Sequence, residues 1–169
     1  MVLKILLFPD SRLRTVASEV EDVNAEIKTL CENMLETMYE CGGIGLAATQ
    51  VNVHKRVIVI DISPEKDSPL VLINPKIKVL PSETKLDYEE GCLSVPGFFE
   101  TINRPDSIEV DALDENGKEF NMKAEGFLAV VIQHENDHLE GKVFVDYLSG
   151  LKRQRIRKQL IKQKKVASK

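Results

Sequence analysis

The sequence has no long apolar stretch and few cysteines. The first absence argues against a membrane-spanning helix, and the second argues against a disulfide framework. Its longest uninterrupted apolar run is the six residues 127–132, whereas a helix that spans a bilayer needs about 20. The largely apolar segment 1–8 precedes Pro9, Asp10 and Arg12 without a small-residue cleavage site, so we read it as mature sequence. Three cysteines are an odd number, which argues against a disulfide framework and predicts a reducing, cytoplasmic location.

Composition and charge predict one globular domain with a basic tail. The chain has 169 residues, of which 43% are hydrophobic and 30% charged, enough to bury a sizeable core. Residues 152–169 carry nine of the 23 Lys and Arg residues and no acid, so all 27 Asp and Glu residues precede them. This distribution predicts that only the tail meets a polyanion. We therefore divide the chain into a main domain, 1–150, and a basic helical tail, 151–169, that extends it.

A metal-binding pattern lies at 134–138. His134 and His138 are four residues apart, so on a helix their imidazoles share one face and suit two nitrogens on one ion. Glu135 completes the pattern HExxH, in which this carboxylate acts on water and is not a ligand. The apolar run 127–132 predicts that the helix is buried, which favours a metal site over two structural histidines. Residues 1–150 would then be a catalytic metallohydrolase domain.

The other patterns predict an α+β fold. Apolar residues recur at helical spacing over 23–38, with Asp22 or Asn24 as the cap and glycines at 42–43 as the end, which indicates an amphipathic N-terminal helix. Strands are predicted at 56–62, 70–74, 76–80, 107–112 and 119–122, with a hairpin turn at 115–117. We expect antiparallel strands packed around a central HExxH helix at 126–141, with the N-terminal helix on another side and a basic C-terminal helix.

A glycine-rich stretch at 43–50 matches GxGxxA, the loose form of a dinucleotide fingerprint. A dinucleotide loop follows a strand and opens a helix, whereas this stretch follows a helix, so its context excludes that function. Two interpretations remain. The stretch is either a loop whose backbone approaches a ligand closely or a tight turn between a helix and a strand.

A metal held by HExxH needs a third protein ligand. In the extended pattern HExxHxxGxxH, a third His would replace Phe144, and a thermolysin-like site needs a downstream Glu, whereas only Glu140 and Asp146 follow His138. The third ligand is therefore expected upstream. The candidates are Cys31, Cys41, Cys92 and His54. Cys92 is favoured because it lies in a small-residue turn after a strand, Cys41 is next, Cys31 is interpreted as a core residue, and His54 as an exposed loop residue.

Three segments resemble the signature motifs of bacterial peptide deformylases, in the family's order and spacing. They are GIGLAATQ at 43–50, EGCLS at 90–94 and QHENDH at 133–138. The resemblance covers nearly the whole chain and is greatest to the class that ends in a basic helix. It implies an α+β fold and removal of the formyl group from nascent N-formylmethionyl peptides. It also implies one divalent metal ion held by Cys92, His134 and His138, natively Fe²⁺, with Zn²⁺, Ni²⁺ or Co²⁺ possible after purification.

The same resemblance implies roles for further residues. Glu135 would be the general base and acid, while the Gln50 amide and the Leu93 backbone N–H would stabilise the developing oxyanion. From the residues themselves, substrate-binding positions are predicted at Gly43, Ile44, Gly45, Gly97, Phe127, Val130 and Val131. The apolar ones would wall a pocket for a methionine side chain, although core packing would also explain them, and Gly45 and Gly97 would let an extended peptide backbone lie close. Some members carry Arg seven residues after the ligand Cys. This chain has Phe99 there, so no substrate role is assigned to it.

The expected partners follow from the tail. By resemblance, the basic tail binds ribosomal RNA near the exit tunnel, and a solvated terminal helix is the alternative. We expect no membrane association and a monomer. Two other functions stay open at this point: a zinc endopeptidase that uses the same HExxH pattern, and a non-catalytic module stabilised by a metal with four protein ligands.

Overall fold

Residues 1–82 and 84–168 are described by a computed structural model, and within them the chain forms three α-helices and seven β-strands. The helices are α1 (Ala25–Glu40), α2 (Gly126–Leu139) and α3 (Gly150–Ala167). The strands are β1 (Gly45–Ala47), β2 (Val57–Ile60), β3 (Leu70–Val79), β4 (Lys85–Cys92), β5 (Val95–Pro105), β6 (Ser107–Leu113) and β7 (Glu119–Glu125). The predicted α+β class is confirmed. Lys169, the last residue of the predicted tail, lies outside the described residues.

Five strands form an antiparallel sheet in the order β1-β2-β3-β6-β7, within the part of the chain that is described. Strand β2 shows why the sheet is buried on both faces. Its four residues are all buried, and successive side chains of a strand point to opposite faces. Ile58 and Ile60 belong to the core shared with α2, whereas Val57 and Val59 belong to the core shared with α1. The HExxH helix therefore packs on one face of the sheet and the amphipathic helix on the other.

Strands β4 and β5 pair with each other in a separate antiparallel ribbon. The end of this ribbon is the turn between Cys92 and Val95, and α2 contacts both strands. The ribbon therefore brings Cys92 to the helix that carries the two histidines, although the two segments are more than forty residues apart in sequence.

The C-terminal helix is anchored to the body of the protein. Ile156 and Leu160 are 3% and 5% exposed, and they belong to a core cluster that contains Phe8, Leu13 and Phe144. Burying an aliphatic side chain of this size contributes about 1.5–3 kcal/mol. The first turns of α3 are therefore part of the folded core, and the alternative of a wholly solvated terminal helix is wrong for them.

Several sequence predictions differ from the structure in detail. The two strands predicted at 70–74 and 76–80 are one strand, β3, with an irregularity after Ile73, where Asn74 has a φ of 52°. Asn24 and not Asp22 caps α1, since its side chain accepts a hydrogen bond from the Ile27 backbone. The predicted helix 126–141 ends at Leu139. Strand β5 was not predicted, because β4 and β5 are only partly buried and lack a clean apolar alternation.

None of the helices in the described residues has the length and apolar character that a membrane crossing requires. The glycine-rich stretch becomes the edge strand β1, followed by a short 3-10 helix, Ala48–Val51. Its six residues from Leu46 to Val51 are all buried. From Gly45 onward the stretch is therefore a buried strand and a short helix, and it is not the predicted alternative of a tight turn between a helix and a strand.

Candidate metal centre

One thiol and two imidazoles meet at the end of the β4–β5 ribbon. One potential ligand atom each from Cys92, His134 and His138 lies within 4.8 Å of the others. Two donors bound to one ion at about 2.3 Å for sulfur and 2.0 Å for nitrogen, with a tetrahedral angle between them, lie about 3.5 Å apart. The Sγ of Cys92 is 3.3 Å from Nε2 of His138. The three donor atoms are therefore close enough together to bind a single metal ion.

His134 is oriented by Glu90, a residue of β4. Nδ1 of His134 lies 2.8 Å from Oε1 of Glu90, so this nitrogen donates its proton to the carboxylate and leaves Nε2 free to bind a metal. Burial alone would raise the pKa of Glu90, but hydrogen bonds from His134 and Arg104 outweigh it and hold that pKa below its usual value. An ionised Glu90 thus fixes the tautomer of His134.

Arg104 in β5 holds Glu90 in turn. Its Nε and Nη2 donate to the two carboxylate oxygens of Glu90 at 2.6 and 3.0 Å, and both side chains are about 95% buried. Such a two-point guanidinium–carboxylate pair is stronger and more directional than a single contact. The pKa of Arg104 is raised, since its bonds to Glu90 outweigh the opposing effect of burial.

His138 lies deeper than His134, at 1% exposure. Burial and then the neighbouring His134 hold its pKa well below the usual histidine value, so its imidazole is neutral. Neutral imidazole is the form that binds metals.

Glu135 has a carboxylate that is buried and incompletely paired. Its side chain is about 94% buried, and its Oε2 has no hydrogen-bond partner among the described residues. Burial raises the pKa of Glu135 to about 7. Oε1 lies 4.0 Å from Nε2 of His134, beside the candidate metal position. A carboxylate in this state is suited to accept and return a proton at neutral pH.

Gln50 is held beside the same group. Its Oε1 accepts a hydrogen bond from the Ala47 backbone N–H at 2.9 Å, which orients the amide. Its Nε2 then donates to Oγ of Ser94 at 3.1 Å and lies 3.6 Å from Sγ of Cys92. The amide nitrogen of Gln50 therefore lies between Ser94 and the candidate ligand Cys92.

A cavity of about 570 Å³ opens in front of these groups. With the exception of His138, all the predicted site residues line it. They are Gly43, Ile44, Gly45, Gln50, Cys92, Leu93, Gly97, Phe127, Val130, Val131, His134 and Glu135. Val130 and Val131 are buried along one wall, while Ile44 and Phe127 are each 40% exposed at the mouth. Sites for small ligands are typically concave and mainly apolar, with a few polar groups that fix orientation.

The other candidate ligands do not reach the metal-binding group. Cys31 is buried in the core beside α1, as predicted for a core residue. Cys41 is exposed and lines the rim of the cavity. His54 is half-buried, so the prediction of an exposed loop residue is wrong for it. Cys92 is the one of the four candidates that lies with the two histidines.

Sequence reasoning missed Arg104, and it quoted Glu90 and Ser94 only as members of the motif EGCLS. Ser94 is fully buried and Arg104 is 4% exposed. Arg104 lies 14 residues after Glu90 and on the opposite strand of the ribbon. In the ribbon register Glu90 lies opposite Glu100 and Arg104 lies opposite Leu86, so no strand pattern in the sequence indicated that these two side chains pair.

The HExxH helix brings two imidazoles and an incompletely paired buried carboxylate next to the thiol of Cys92 in β4, and this arrangement defines a metal-dependent hydrolase. Comparison with known proteins identifies which one. The family described as "Polypeptide deformylase" matches residues 2–154. A peptide deformylase from Teredinibacter turnerae is 62% identical over 164 residues, which are 97% of each chain. The chain belongs to the peptide deformylase family.

Solved structures agree with this assignment. The crystal structure of a peptide deformylase from Ehrlichia chaffeensis has a TM-score of 0.94 and 43% identity, and it covers 100% of both chains. A second structure from that organism, in complex with actinonin, has a TM-score of 0.91 and 46% identity over 96% of this chain and 97% of that one. The protein is therefore a metal-dependent hydrolase that uses one metal ion and removes the N-formyl group from peptides during protein synthesis.

Proposed function

We propose that Cys92, His134 and His138 hold the metal ion of this deformylase, and that formylmethionyl peptides bind in the cavity beside them. One observation carries the proposal: the three donor atoms converge within 4.8 Å at the wall of a cavity that also contains the unpaired carboxylate of Glu135. When bound, the ion supplies Lewis acidity, which lowers the pKa of a water molecule and polarises a carbonyl group.

Glu135 acts as the general base and then the general acid. It takes a proton from water, whose oxygen attacks the formyl carbon, and it then gives the proton to the departing amine, so that formate and a free N-terminus are released. Its raised pKa of about 7 supports both steps, because the group exchanges protons readily near neutrality. Its position next to His134 supports the same role, since the reacting water must lie within hydrogen-bond reach of it.

Negative charge gathers on the carbonyl oxygen during the attack. The Nε2 amide group of Gln50 and the backbone N–H of Leu93 donate hydrogen bonds to this oxygen. Each such donor contributes about 3 kcal/mol to the lowering of the barrier. The orientation of the Gln50 amide by the Ala47 backbone and its position beside Cys92 support this assignment, since they hold the donor next to a proposed metal ligand.

The methionine side chain enters the apolar part of the cavity. Val130 and Val131 lie on α2 one turn before the histidines, and Phe127 and Ile44 lie at the mouth. The peptide backbone then lies along Gly43, Gly45 and Gly97. A side chain at Gly43 would meet Leu93, because a Cβ there would lie 2.7 Å from its Cδ1. Gly97 has a φ of 81°, which favours glycine at the edge of the cavity.

The native ion is proposed to be Fe²⁺, with Zn²⁺, Ni²⁺ or Co²⁺ able to occupy the site after purification. A thiolate is a soft, oxidisable ligand, so the Fe²⁺ form is expected to lose activity in air or peroxide. The Zn²⁺ form cannot change its oxidation state and is expected to survive. Metal analysis of protein purified without oxygen tests this assignment.

The variant Glu135→Gln tests the catalytic assignment. We expect it to bind one metal ion per chain, as the wild-type protein does, and to lose several orders of magnitude in kcat, because both proton transfers depend on the carboxylate. Formate release from formyl-Met-Ala-Ser measures the activity, and elemental analysis measures the metal. Loss of the metal itself would show that Glu135 holds the site together and is not the base.

The substrate panel separates the rival functions. A zinc endopeptidase would cleave internal bonds and show no preference for a formylated N-terminus. A metal-stabilised binding module would need four protein ligands and no Glu135. We expect formate from formyl-Met-Ala-Ser, no acetate from its acetylated analogue and no internal cleavage. Cleavage within the peptide would favour the endopeptidase.

The tail, residues 151–169, is proposed to extend the catalytic domain, 1–150, and to bind ribosomal RNA. Ile156 and Leu160 anchor α3, and most of its basic side chains are exposed, although Lys152 also pairs with Glu100 of β5 at 3.0 Å. The exposed ones include Lys152, Arg155, Arg157, Lys158, Lys162, Lys164 and Lys165. A cytoplasmic monomer bound in this way would meet formylated chains as they leave the ribosome.

Point substitutions test this better than truncation, because removal of α3 would expose the apolar cluster beneath it. We expect the triple variant Lys158→Gln, Lys162→Gln, Lys165→Gln to keep its activity on a short peptide and to bind ribosomes less tightly. The log–log salt dependence of binding should fall by about three units, one for each lost phosphate contact. The triple variant Lys76→Gln, Lys78→Gln, Lys118→Gln changes net charge equally and should bind as the wild type does. Equal loss in both variants would favour a general charge effect.

A further inference from the structure

A chain of polar contacts runs from the metal-binding group to the surface behind α2. It starts at His134, continues through Glu90 and Arg104, and reaches Asp137, whose Oδ2 accepts a hydrogen bond from Nη1 of Arg104 at 2.9 Å. The hydroxyl of Tyr147 donates to the same oxygen at 2.7 Å. Asp137 lies between the two histidines in the HExxH helix, three residues after His134, so the two side chains occupy neighbouring positions on the helix.

Tyr147 contacts this chain in a second way. Its ring lies under the guanidinium of Arg104, with 4.9 Å from Cζ to the ring centroid. A cation over an aromatic face is attracted to it, and most strongly where the cation is shielded from water. Arg104 is 4% exposed and Tyr147 is 50% exposed. Tyr147 therefore covers the outer side of a buried cation and also fixes the carboxylate that pairs with it.

We propose that Asp137 and Tyr147 are positioning residues for the metal ion. They act on it through Arg104, Glu90 and His134, and not by touching the metal or the substrate. This inference rests on the proposed ligand set. It gives a role to Asp137, the second variable position of the HExxH pattern, and to Tyr147, which lies outside all three signature motifs.

The physical reason lies in how Glu90 is shared. Glu90 must accept the proton of His134 Nδ1, and it is also paired at two points with Arg104. Asp137 also pairs with Arg104 and so balances part of its positive charge. Glu90 therefore does not balance that charge alone, and it stays a strong hydrogen-bond acceptor for His134. A strong acceptor makes the other nitrogen of the imidazole a better ligand. Tyr147 keeps Arg104 and Asp137 in the geometry that allows this sharing.

A purely structural role would predict something different. A buried ion pair that only holds two strands and a helix together would, when weakened, lower the stability of the whole fold. The metal would then be lost only from the fraction of the protein that is unfolded. A positioning role lowers the metal affinity of protein that is still folded.

The test compares two tyrosines that each donate a hydrogen bond to an aspartate. Tyr147→Phe removes the bond to Asp137, and Tyr39→Phe removes an equivalent bond of 2.6 Å to Asp61, away from the metal ligands. Full-length protein loaded with Co²⁺ is challenged with a coloured chelator, and the rate of metal loss is recorded together with the absorption spectrum of the bound Co²⁺. The free energy of unfolding by urea is measured for each variant.

We expect Tyr147→Phe to lose Co²⁺ several-fold faster than the wild type and Asp137→Ala about tenfold faster, which is the lower end of the effect for groups that support ligand histidines. Tyr39→Phe should lose the metal at the wild-type rate, even where its stability falls as much. The proposal is overturned when both site variants retain Co²⁺ as the wild type does, or when Tyr39→Phe loses it as fast as Tyr147→Phe.

A double variant tests the route. Since Asp137 acts through Glu90, Asp137→Ala combined with Glu90→Gln should lose metal no faster than Glu90→Gln alone. Additive effects would overturn the route through Glu90. Cys92→Ser separates this inference from the proposed function: unchanged metal binding in Cys92→Ser removes the ligand assignment itself, whereas failure of the Tyr147 and Asp137 variants alone leaves that assignment intact.

Discussion

A single methyl group added at Gly45 should displace the general base. Gly45 begins β1 and lies directly against the Glu135 side chain at the wall of the cavity. A Cβ at this position would have its three nearest neighbours in the Glu135 side chain, at 2.9 Å from Cδ, 3.0 Å from Cγ and closer still to Oε1. Carbon atoms in favourable contact lie about 3.5–4.0 Å apart. The carboxylate of Glu135 therefore has to move by about 1 Å in Gly45→Ala.

A displacement of about 1 Å in a catalytic group costs about 100-fold in rate. This corresponds to about 2.7 kcal/mol of lost transition-state stabilisation. We expect kcat/KM for formyl-Met-Ala-Ser to fall by about this factor in Gly45→Ala. The metal content should not change, because the atoms nearest to the added methyl group all belong to Glu135 and not to a proposed ligand.

The assay is formate release under saturating metal, with the metal content of each sample measured in parallel. Gly150→Ala is the matched control, because a Cβ there has open space and Gly150 lies at the start of α3. It should behave as the wild type. Wild-type kcat/KM in Gly45→Ala would refute the reasoning, because it would mean either that Glu135 moves freely or that it is not the base.

Two further predictions concern the thiol ligand and acid stability. Cys92→Ser should lose most deformylase activity or change its metal preference, whereas Cys41→Ser should keep the activity and the metal preference of the wild type. Full activity in Cys92→Ser, together with a metal-free Cys41→Ser protein, would reverse the assignment of the third ligand. Burial alone would raise the pKa of Asp61, but hydrogen bonds from Ser63, Tyr39 and Ser68 outweigh it and hold that pKa below its usual value. The ionised Asp61 therefore stabilises the fold above the usual carboxyl pKa, and this contribution is lost as the pH falls through its pKa in the folded protein. Asp61→Asn should destabilise the protein by about 2 kcal/mol at pH 7. Urea unfolding should show the difference from the wild type shrinking as the pH falls below the usual carboxyl pKa; a difference that is constant with pH would contradict the assignment.

The most reliable predictions from the sequence came from local residue patterns. The apolar run 127–132 and the HExxH spacing identified a buried helix with two histidines on one face, because both features depend on the 3.6-residue repeat of a helix. Helix α1 followed from the same repeat over 23–38. The β4–β5 ribbon was not predicted, because its strands are partly exposed and pair only with each other. Their pattern is set by a partner strand and not by a continuous core.

Residue types at short, fixed spacings were enough to identify the family, the α+β class and the candidate metal ligands. The choice between those candidates required the fold, in which Cys92 lies 3.3 Å from His138 and Cys41 stays at the rim of the cavity. The fold also decided that Arg104, Asp137 and Tyr147 support Glu90 from behind, and that α3 is anchored through Ile156 and Leu160. The physical reason is the same in each case: these contacts join segments far apart in the chain, and their formation depends on how a sheet, a ribbon and three helices pack together.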